Sequence, residues 1–155
     1  PIYLRVLDHY LDARHDWRNA WNAVIARMDS ANAAQDAQAA ANRDSSRGPS
    51  LPLERYAGTY RDAWYGDIVI AREGDGLTMR FGRTPLLYGD LVHWQFDTFL
   101  VRWRDRELRA DAYVSFALAP DGSIARATMA PASPTVDFSF DFQDLDLKPV
   151  RDPGR

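Results

Sequence analysis

The sequence contains no cysteine and only one lysine, Lys148. Without cysteine the chain can form no disulfide, no thiolate zinc site, no iron–sulfur cluster and no cysteine nucleophile. All but one of the 19 basic residues are arginine, and 22 acidic residues are interleaved with them to give a net charge of −3. Because no basic block of the kind that follows a phosphate backbone occurs, we expect no nucleic-acid partner.

Long hydrophobic runs are also missing. No apolar stretch approaches the roughly 20 residues that span a bilayer, so we expect no membrane span. Pro1-Ile2-Tyr3 is followed by charged residues and not by a signal-peptide core, which predicts either a soluble fragment or a targeting segment already removed. The 155 residues, 46% of them hydrophobic, suffice for one globular core but argue against a two-domain enzyme.

The N-terminal part predicts two helices. Apolar residues recur at helical spacing over residues 3–11, and Asp16 is placed to cap a second helix. The apolar stripe of that second helix consists of Trp17, Trp21, Val24, Ile25 and Met28. Residues 31–42 favour helix by composition but offer little to bury, which predicts a frayed helix or a spacer.

A segment rich in Ser, Gly and Pro at residues 44–52 predicts the main domain boundary. We therefore assign residues 1–50 to a helical connector, residues 51–148 to a β domain and residues 149–155 to a tail. Period-two alternation marks the β domain, for example at Phe99, Val101 and Trp103, and again over residues 137–142. Turns are predicted at Tyr65-Gly66-Asp67, Gly74-Asp75-Gly76, Tyr88-Gly89-Asp90 and Pro120-Asp121-Gly122.

The spacing of these segments predicts a mainly β fold, an antiparallel barrel of about eight strands preceded by two N-terminal helices. Such a barrel either fills its interior with side chains or holds one small ligand. The apolar strand faces carry many rings, which favours the filled interior because of their volume. These inward candidates are Phe81, Phe99, Trp103, Phe116, Phe138, Phe140 and Phe142.

No catalytic or metal-binding motif is found. No serine lies in G-x-S-x-G, and the lone lysine excludes both S-x-x-K and K-T-G, since Leu145 stands three residues before Lys148. The three histidines lack metal-ligand spacing. Asp137 and Asp141 could form a glycosidase-like pair, but a solvated strand face is favoured. We expect no enzyme activity, no metal and no cofactor in this chain.

Two aromatic regions are candidate ligand or interface sites. Trp64 and Tyr65 lie in a predicted hairpin loop, where they either anchor an interface or fold back as a plug over the barrel end. For His93, bonding to a neighbouring carboxylate or carbonyl is favoured over catalysis with Asp97. If the barrel holds a ligand instead, the residues expected near its mouth are Trp94, Phe99, Trp103 and Tyr113.

Residues 51–148 carry a series of short motifs in a characteristic order. These are Leu53-x-x-Tyr56-Ala57-Gly58-Thr59-Tyr60, Tyr65-Gly66, Leu91-x-His93-Trp94, Asp97-Thr98-Phe99, Val114-Ser115-Phe116, Asp121-Gly122 and Asp137-Phe138-x-Phe140. Together they resemble the C-terminal lipocalin-like domain that follows the catalytic domain of class C β-lactamase-related (S12-type, penicillin-binding-protein-like) serine hydrolases of bacteria and archaea. Residues 4–17 are similar to the last helix of that hydrolase domain and its connector.

The resemblance implies a non-catalytic accessory domain that packs on its own upstream hydrolase domain, shapes access to the active site or builds a homo-oligomer. The catalytic motifs of the family are absent from these 155 residues, so hydrolase activity is not carried over to them. A barrel that binds a small apolar or peptide-like ligand stays open as the alternative. The family also implies export, to the periplasm or the cell exterior.

Overall fold

The computed structural model of the chain describes residues 2–10, 16–44, 46–133, 136 and 140–150. The chain divides into two compact units, residues 1–41 and residues 42–155. Residues 42–50, assigned to the connector by the sequence analysis, lie in the same unit as the sheet. The domain limits derived from the sequence stay a prediction.

The first unit contains the two predicted helices, α1 (Ile2–Tyr10) and α2 (Trp17–Ala41). Asp16 caps α2 as expected, because its carboxylate accepts the amide of Asn19 at 3.1 Å. The alanine-rich segment continues α2 without a break, although no residue of this fully described helix is buried. Neither helix, as far as it is described, combines the length and hydropathy needed to cross a membrane. Leu11 and His15 fall outside the described residues.

The second unit is a closed antiparallel barrel of eight strands, as predicted. Each strand pairs with the next one along the chain, and β8 closes the barrel on β1, with Arg61 opposite Lys148. The strands are β1 (Gly58–Asp62), β2 (Gly66–Glu73), β3 (Gly76–Phe81), β4 (Tyr88–Gln95), β5 (Thr98–Trp103), β6 (Ala112–Leu118), β7 (Ile124–Pro131) and β8 (Asp146–Pro149). Short 3-10 helices precede β1, β6 and β8 at Leu53–Arg55, Arg106–Leu108 and Phe142–Asp144.

Aromatic side chains fill the interior of the barrel. Period-two alternation turns every second residue inward, and the inward faces of β3, β5 and β6 carry the predicted rings. Their edges meet neighbouring faces, as in the 5.9 Å contact between Phe81 and Trp103 and the 5.7 Å contact between Phe99 and Phe116. The largest fully buried side chains are Trp103, Tyr56, Phe81, Phe99 and Phe142.

Both ends of the barrel are covered by residues outside the strands. Because the strands alternate in direction, the β1–β2, β3–β4, β5–β6 and β7–β8 connections share one end, which we name the Trp64 end. There Phe142 stacks on Trp103 with ring centroids 6.1 Å apart. The opposite end, named the His93 end, is covered by Tyr56, whose ring lies 5.0 Å from both Phe99 and Phe116.

Two local expectations are wrong. Tyr88-Gly89-Asp90 is not a turn but lies within β4, where the missing side chain of Gly89 lets the backbone of β5 approach closely. Of the alternating segment 137–142, residues 140–142 are not a strand: Phe142 begins a 3-10 helix and packs its ring against Trp103 at the barrel end. Residues 137–139 of that segment, Phe138 among them, lie outside the described residues.

The close approach at Gly89 yields a stability prediction. A Cβ atom at this position would lie 2.4 Å from the carbonyl oxygen of Arg102 and 2.9 Å from the Cα atom of Trp103. Gly89→Ala must push β4 and β5 apart, so we expect the free energy of unfolding to fall by about 2–3 kcal/mol in urea titrations. Gly76→Ala is the matched control, because its new Cβ would have only one neighbour, 3.9 Å away. Equal stability of the two variants would contradict the register of β4 against β5.

Candidate functional site

The predicted site residues lie in separate places. Trp64 and Tyr65 occupy the β1–β2 connection at the Trp64 end, whereas His93 and Trp94 lie close to the C-terminus of β4, at the His93 end. Tyr113 is half-buried on β6. Phe99 and Trp103 are inside the barrel, which brings neither of them to a surface.

Phe99 and Trp103, expected near the mouth of a ligand-holding barrel, are buried against the residues that cover its two ends, Phe99 against Tyr56 and Trp103 against Phe142. Both are only 1% exposed, because the alternation of β5 directs them inward together with Val101. The indole N–H of Trp103 donates to the carbonyl oxygen of Ala110 at 2.6 Å, which satisfies the one polar group of that ring. These two residues belong to the hydrophobic core, and any ligand role for them stays a prediction.

Trp94 and Tyr113 contact each other, with ring centroids 5.2 Å apart. The guanidinium carbon of Arg43 lies 5.0 Å from the centre of the Trp94 ring, a cation–π arrangement. Arg43 also donates to the carbonyl oxygen of Trp94 and, at 3.3 Å, to that of His93. Through Arg43, the segment that precedes the barrel is hydrogen-bonded to the C-terminal end of β4.

His93 is bonded within its own hairpin. Its Nε2 atom lies 2.9 Å from the carbonyl oxygen of Phe96, and its ring contacts Phe99 at 5.5 Å. Phe96 adopts a φ of 46°, in the left-handed region that bulky residues seldom enter, and its side chain is 50% exposed. The histidine thus has a backbone carbonyl as its neighbour, the arrangement favoured from the sequence.

Asp97 holds the segment before β1 against the His93 end. Its carboxylate accepts the Ser50 amide at 2.9 Å, the Ser50 hydroxyl at 2.7 Å and the hydroxyl of Tyr56. Burial acts to raise the pKa of Asp97, but the hydrogen bonds from Tyr56 and Ser50 lower it below its ordinary value. Burial and the bond to Asp97 raise the pKa of Tyr56, whose hydroxyl therefore stays protonated and donating at neutral pH.

Asp62 plays the corresponding part at the Trp64 end. Its buried carboxylate accepts the backbone amides of Trp64 at 2.7 Å, Tyr65 at 2.9 Å and Asp146 at 3.1 Å. Burial acts to raise the pKa of Asp62, and these amide bonds lower it overall. An aspartate at the first position of a turn is the signal from which this role could have been predicted.

Trp64 and Tyr65 are adjacent in the β1–β2 connection, but only one of them folds back over the barrel end. The side chain of Trp64 is 83% exposed, whereas the ring of Tyr65 folds back and packs edge-on against Phe81 at 5.8 Å. Beside the turn lies a depression of about 490 Å³. It is lined by Arg61, Asp62, Ala63, Gly66, Asp67, Gly82 and Arg83.

Among the described residues, no group of three or more histidines and carboxylates could hold a metal ion. Asp141 directly precedes the last 3-10 helix, and Asp137, the other carboxylate of the less favoured glycosidase-like pair, lies outside the described residues. Asp97 and His93 are both engaged in bonds that position the chain.

We name the Asp97 carboxylate, with the hydrogen bonds that it accepts from Ser50 and Tyr56, the Asp97 clamp, and we expect its contribution to stability to depend on pH. A carboxylate whose pKa is lowered by folding stabilises the protein above its unfolded pKa of about 3.9, and this contribution is lost as the pH falls through the folded value. We expect Asp97→Asn to lower the free energy of unfolding by about 1 kcal/mol at pH 7, since the site is partly exposed. Urea titrations should show the difference from the unmodified chain narrowing at pH 3.

Asp75→Asn is the control, because Asp75 lies in the exposed turn between β2 and β3. It should leave stability unchanged at both pH values. A deficit of Asp97→Asn that is as large at pH 3 as at pH 7 would contradict the charged clamp.

Comparison with known proteins gives a family and a fold. Residues 42–149 match a family described as a domain of unknown function, DUF3471. No curated protein matches the chain. A solved structure, the C-terminal domain of penicillin binding protein Rv0907, is similar in fold with a TM-score of 0.50 and 20% identity, over 70% of this chain and 94% of that chain. Since the matching family covers more than half of the sequence, the chain belongs to the DUF3471 family.

Proposed function

We propose that this chain is the non-catalytic accessory domain of a penicillin-binding-protein-like serine hydrolase, and that its barrel packs on the hydrolase domain. The observation that carries the proposal is the filled barrel, whose fold matches 94% of the solved C-terminal domain of a penicillin binding protein. A barrel packed with aromatic rings acts through its outer surface. Shaping access to the active site of the hydrolase is the role that we assign to it.

The hydrogen bonds of Ser50 and His93 support a non-catalytic role. The hydroxyl of Ser50 donates to Asp97, and His93 lies against a backbone carbonyl, so neither is paired with the other as nucleophile and base. The sequence supplies no S-x-x-K, because Lys148 is its one lysine. Lys148 itself lies on β8, 3.4 Å from the carboxylate of Asp146.

The alternative, a barrel that holds a small apolar or peptide-like ligand, has less support. A ligand inside the barrel would have to displace Phe99 or Trp103, both in contact with other buried rings. Tyr56 covers one end and Phe142 the other. Opening either end would break the Asp97 clamp or the stack on Trp103, and each change exposes core rings to water.

The first test is hydrolysis. We expect the 155-residue chain to turn over nitrocefin and p-nitrophenyl acetate no faster than buffer, because the residues that the structure describes offer no activated nucleophile. The product of the complete reading frame is the positive control, and we expect it to carry an S-x-x-K motif before this domain and to hydrolyse at least one of these substrates. Saturable turnover by the chain alone, or a reading frame without a hydrolase domain, would contradict the proposal.

The second test separates the accessory role from ligand binding. Titration of the chain with palmitate and with an acylated dipeptide should leave its tryptophan fluorescence unchanged, because Trp103 is sealed in the core. Native mass spectrometry of the same samples should show the unliganded mass. A fatty-acid-binding β-barrel treated in parallel serves as the positive control. A saturable fluorescence change with a matching mass increase would favour the ligand-binding barrel instead.

A further inference from the structure

Two large apolar side chains are exposed at the Trp64 end. Trp64 is 83% exposed in the β1–β2 connection, and Leu86 is 62% exposed in the connection between β3 and β4. Arg83 joins the two connections, because its Nη1 atom donates to the carbonyl oxygen of Trp64 at 3.0 Å. We name these three residues the Trp64 face.

The backbone beneath Trp64 is fixed. Asp62 accepts the amides of Trp64 and Tyr65, and the ring of Tyr65 is packed on Phe81. Gly66, which follows, has a φ of 74° and leaves room for Arg83, whose Nε atom would lie 2.8 Å from a Cβ there. The indole is therefore held out in solvent by a turn that is bonded on its inner side.

The loop that carries Leu86 is fixed in a similar way. The amide of Gly82 donates to the carbonyl oxygen of Asp67, the amide of Leu87 to that of Thr84 and the amide of Tyr88 to that of Leu86, each at 2.9 Å. The side chain of Leu87 is buried in the core. A surface held in one conformation loses little entropy on binding, which favours its use in recognition.

The charge of the face indicates the chemistry of its partner. Arg61 forms an ion pair with Asp67 at 2.5 Å. The charge of Arg83 also helps to lower the pKa of Asp67, but in the part of the chain that the structure describes no carboxylate lies within ion-pair distance of Arg83. Tryptophan and arginine are the residue types most enriched at the energetic centres of protein interfaces. A two-fold contact between copies centred on this face would bring like charges of Arg83 together, which favours a different partner.

We propose that the Trp64 face is the surface by which this domain docks on the hydrolase domain, and that the partner offers an apolar pocket for the indole with a carboxylate at its rim facing Arg83. This inference rests on the proposed function and adds to it the place of contact. The depression of about 490 Å³ beside Arg83 provides room for a side chain from the pocket rim.

Hydroxyl-radical footprinting read by mass spectrometry tests the contact residue by residue. We expect oxidation of Trp64 to be at least about fivefold slower in the product of the complete reading frame than in the 155-residue chain, since interface centres are desolvated. Phe96, half-exposed at the opposite end, is the internal control and should react equally in both.

Variants of the complete product test the chemistry of the contact. Trp64→Ala and Arg83→Glu should each return Leu86 to the reactivity that it has in the 155-residue chain. Phe96→Ala and Arg80→Glu are the matched controls, one an exposed aromatic residue and the other an exposed arginine on β3, and both should keep Leu86 protected. Circular dichroism of every variant verifies that the barrel is folded.

Three other footprinting results would each lead to a different conclusion. Protection around Val92 and Phe96 with Trp64 still reactive would overturn this inference and leave the proposed function standing. A barrel that is unprotected throughout the complete product would overturn both. Protection of Trp64 that rises with the concentration of the 155-residue chain alone would identify a second copy as the partner and overturn the inference.

Discussion

The filling of the barrel by aromatic side chains is the constraint on which the rest of the second unit depends. Eight strands enclose only enough space for side chains or for one small ligand, and Phe81, Phe99 and Trp103 occupy it. Because the rings reach both ends, segments outside the strands must cover them, which Tyr56 and Phe142 do. With the interior occupied, a partner could bind only to the outer surface.

Two carboxylates fasten the covering segments, one at each end. Asp97 takes the amide and hydroxyl of Ser50, and Asp62 takes the amide of Asp146, so each joins parts of the chain that are far apart in sequence. Both have a pKa lowered by the bonds that they accept, which keeps them ionised and their bonds strong. The first clamp fixes the entry to β1, and the second fixes the entry to β8 and the turn that carries Trp64.

Local patterns are sufficient to predict the eight-stranded barrel and the inward rings of Phe81, Phe99 and Trp103, because period-two alternation and burial are properties of neighbouring residues. The hydrogen bonds of Asp97 and Asp62 could not be predicted from local patterns, since Ser50 and Asp97, for example, meet only after the barrel has closed. The place of Gly89 within a strand depends on a distant residue in the same way. A glycine beside an aspartate is typical of a turn, but here its use is to admit the backbone of Arg102 from the neighbouring strand.

Trp64 and Tyr65 show why a candidate site needs the structure even when its residues are found in the sequence. Adjacent aromatic residues in one turn have opposite directions, and Asp62 fixes which of them faces the core by binding both amides. Tyr65 covers Phe81, which leaves Trp64 outside with Arg83 bonded to its carbonyl group. An indole kept in water by the hydrogen bonds of its turn adds nothing to the core, so the free energy of burying it is available to a partner.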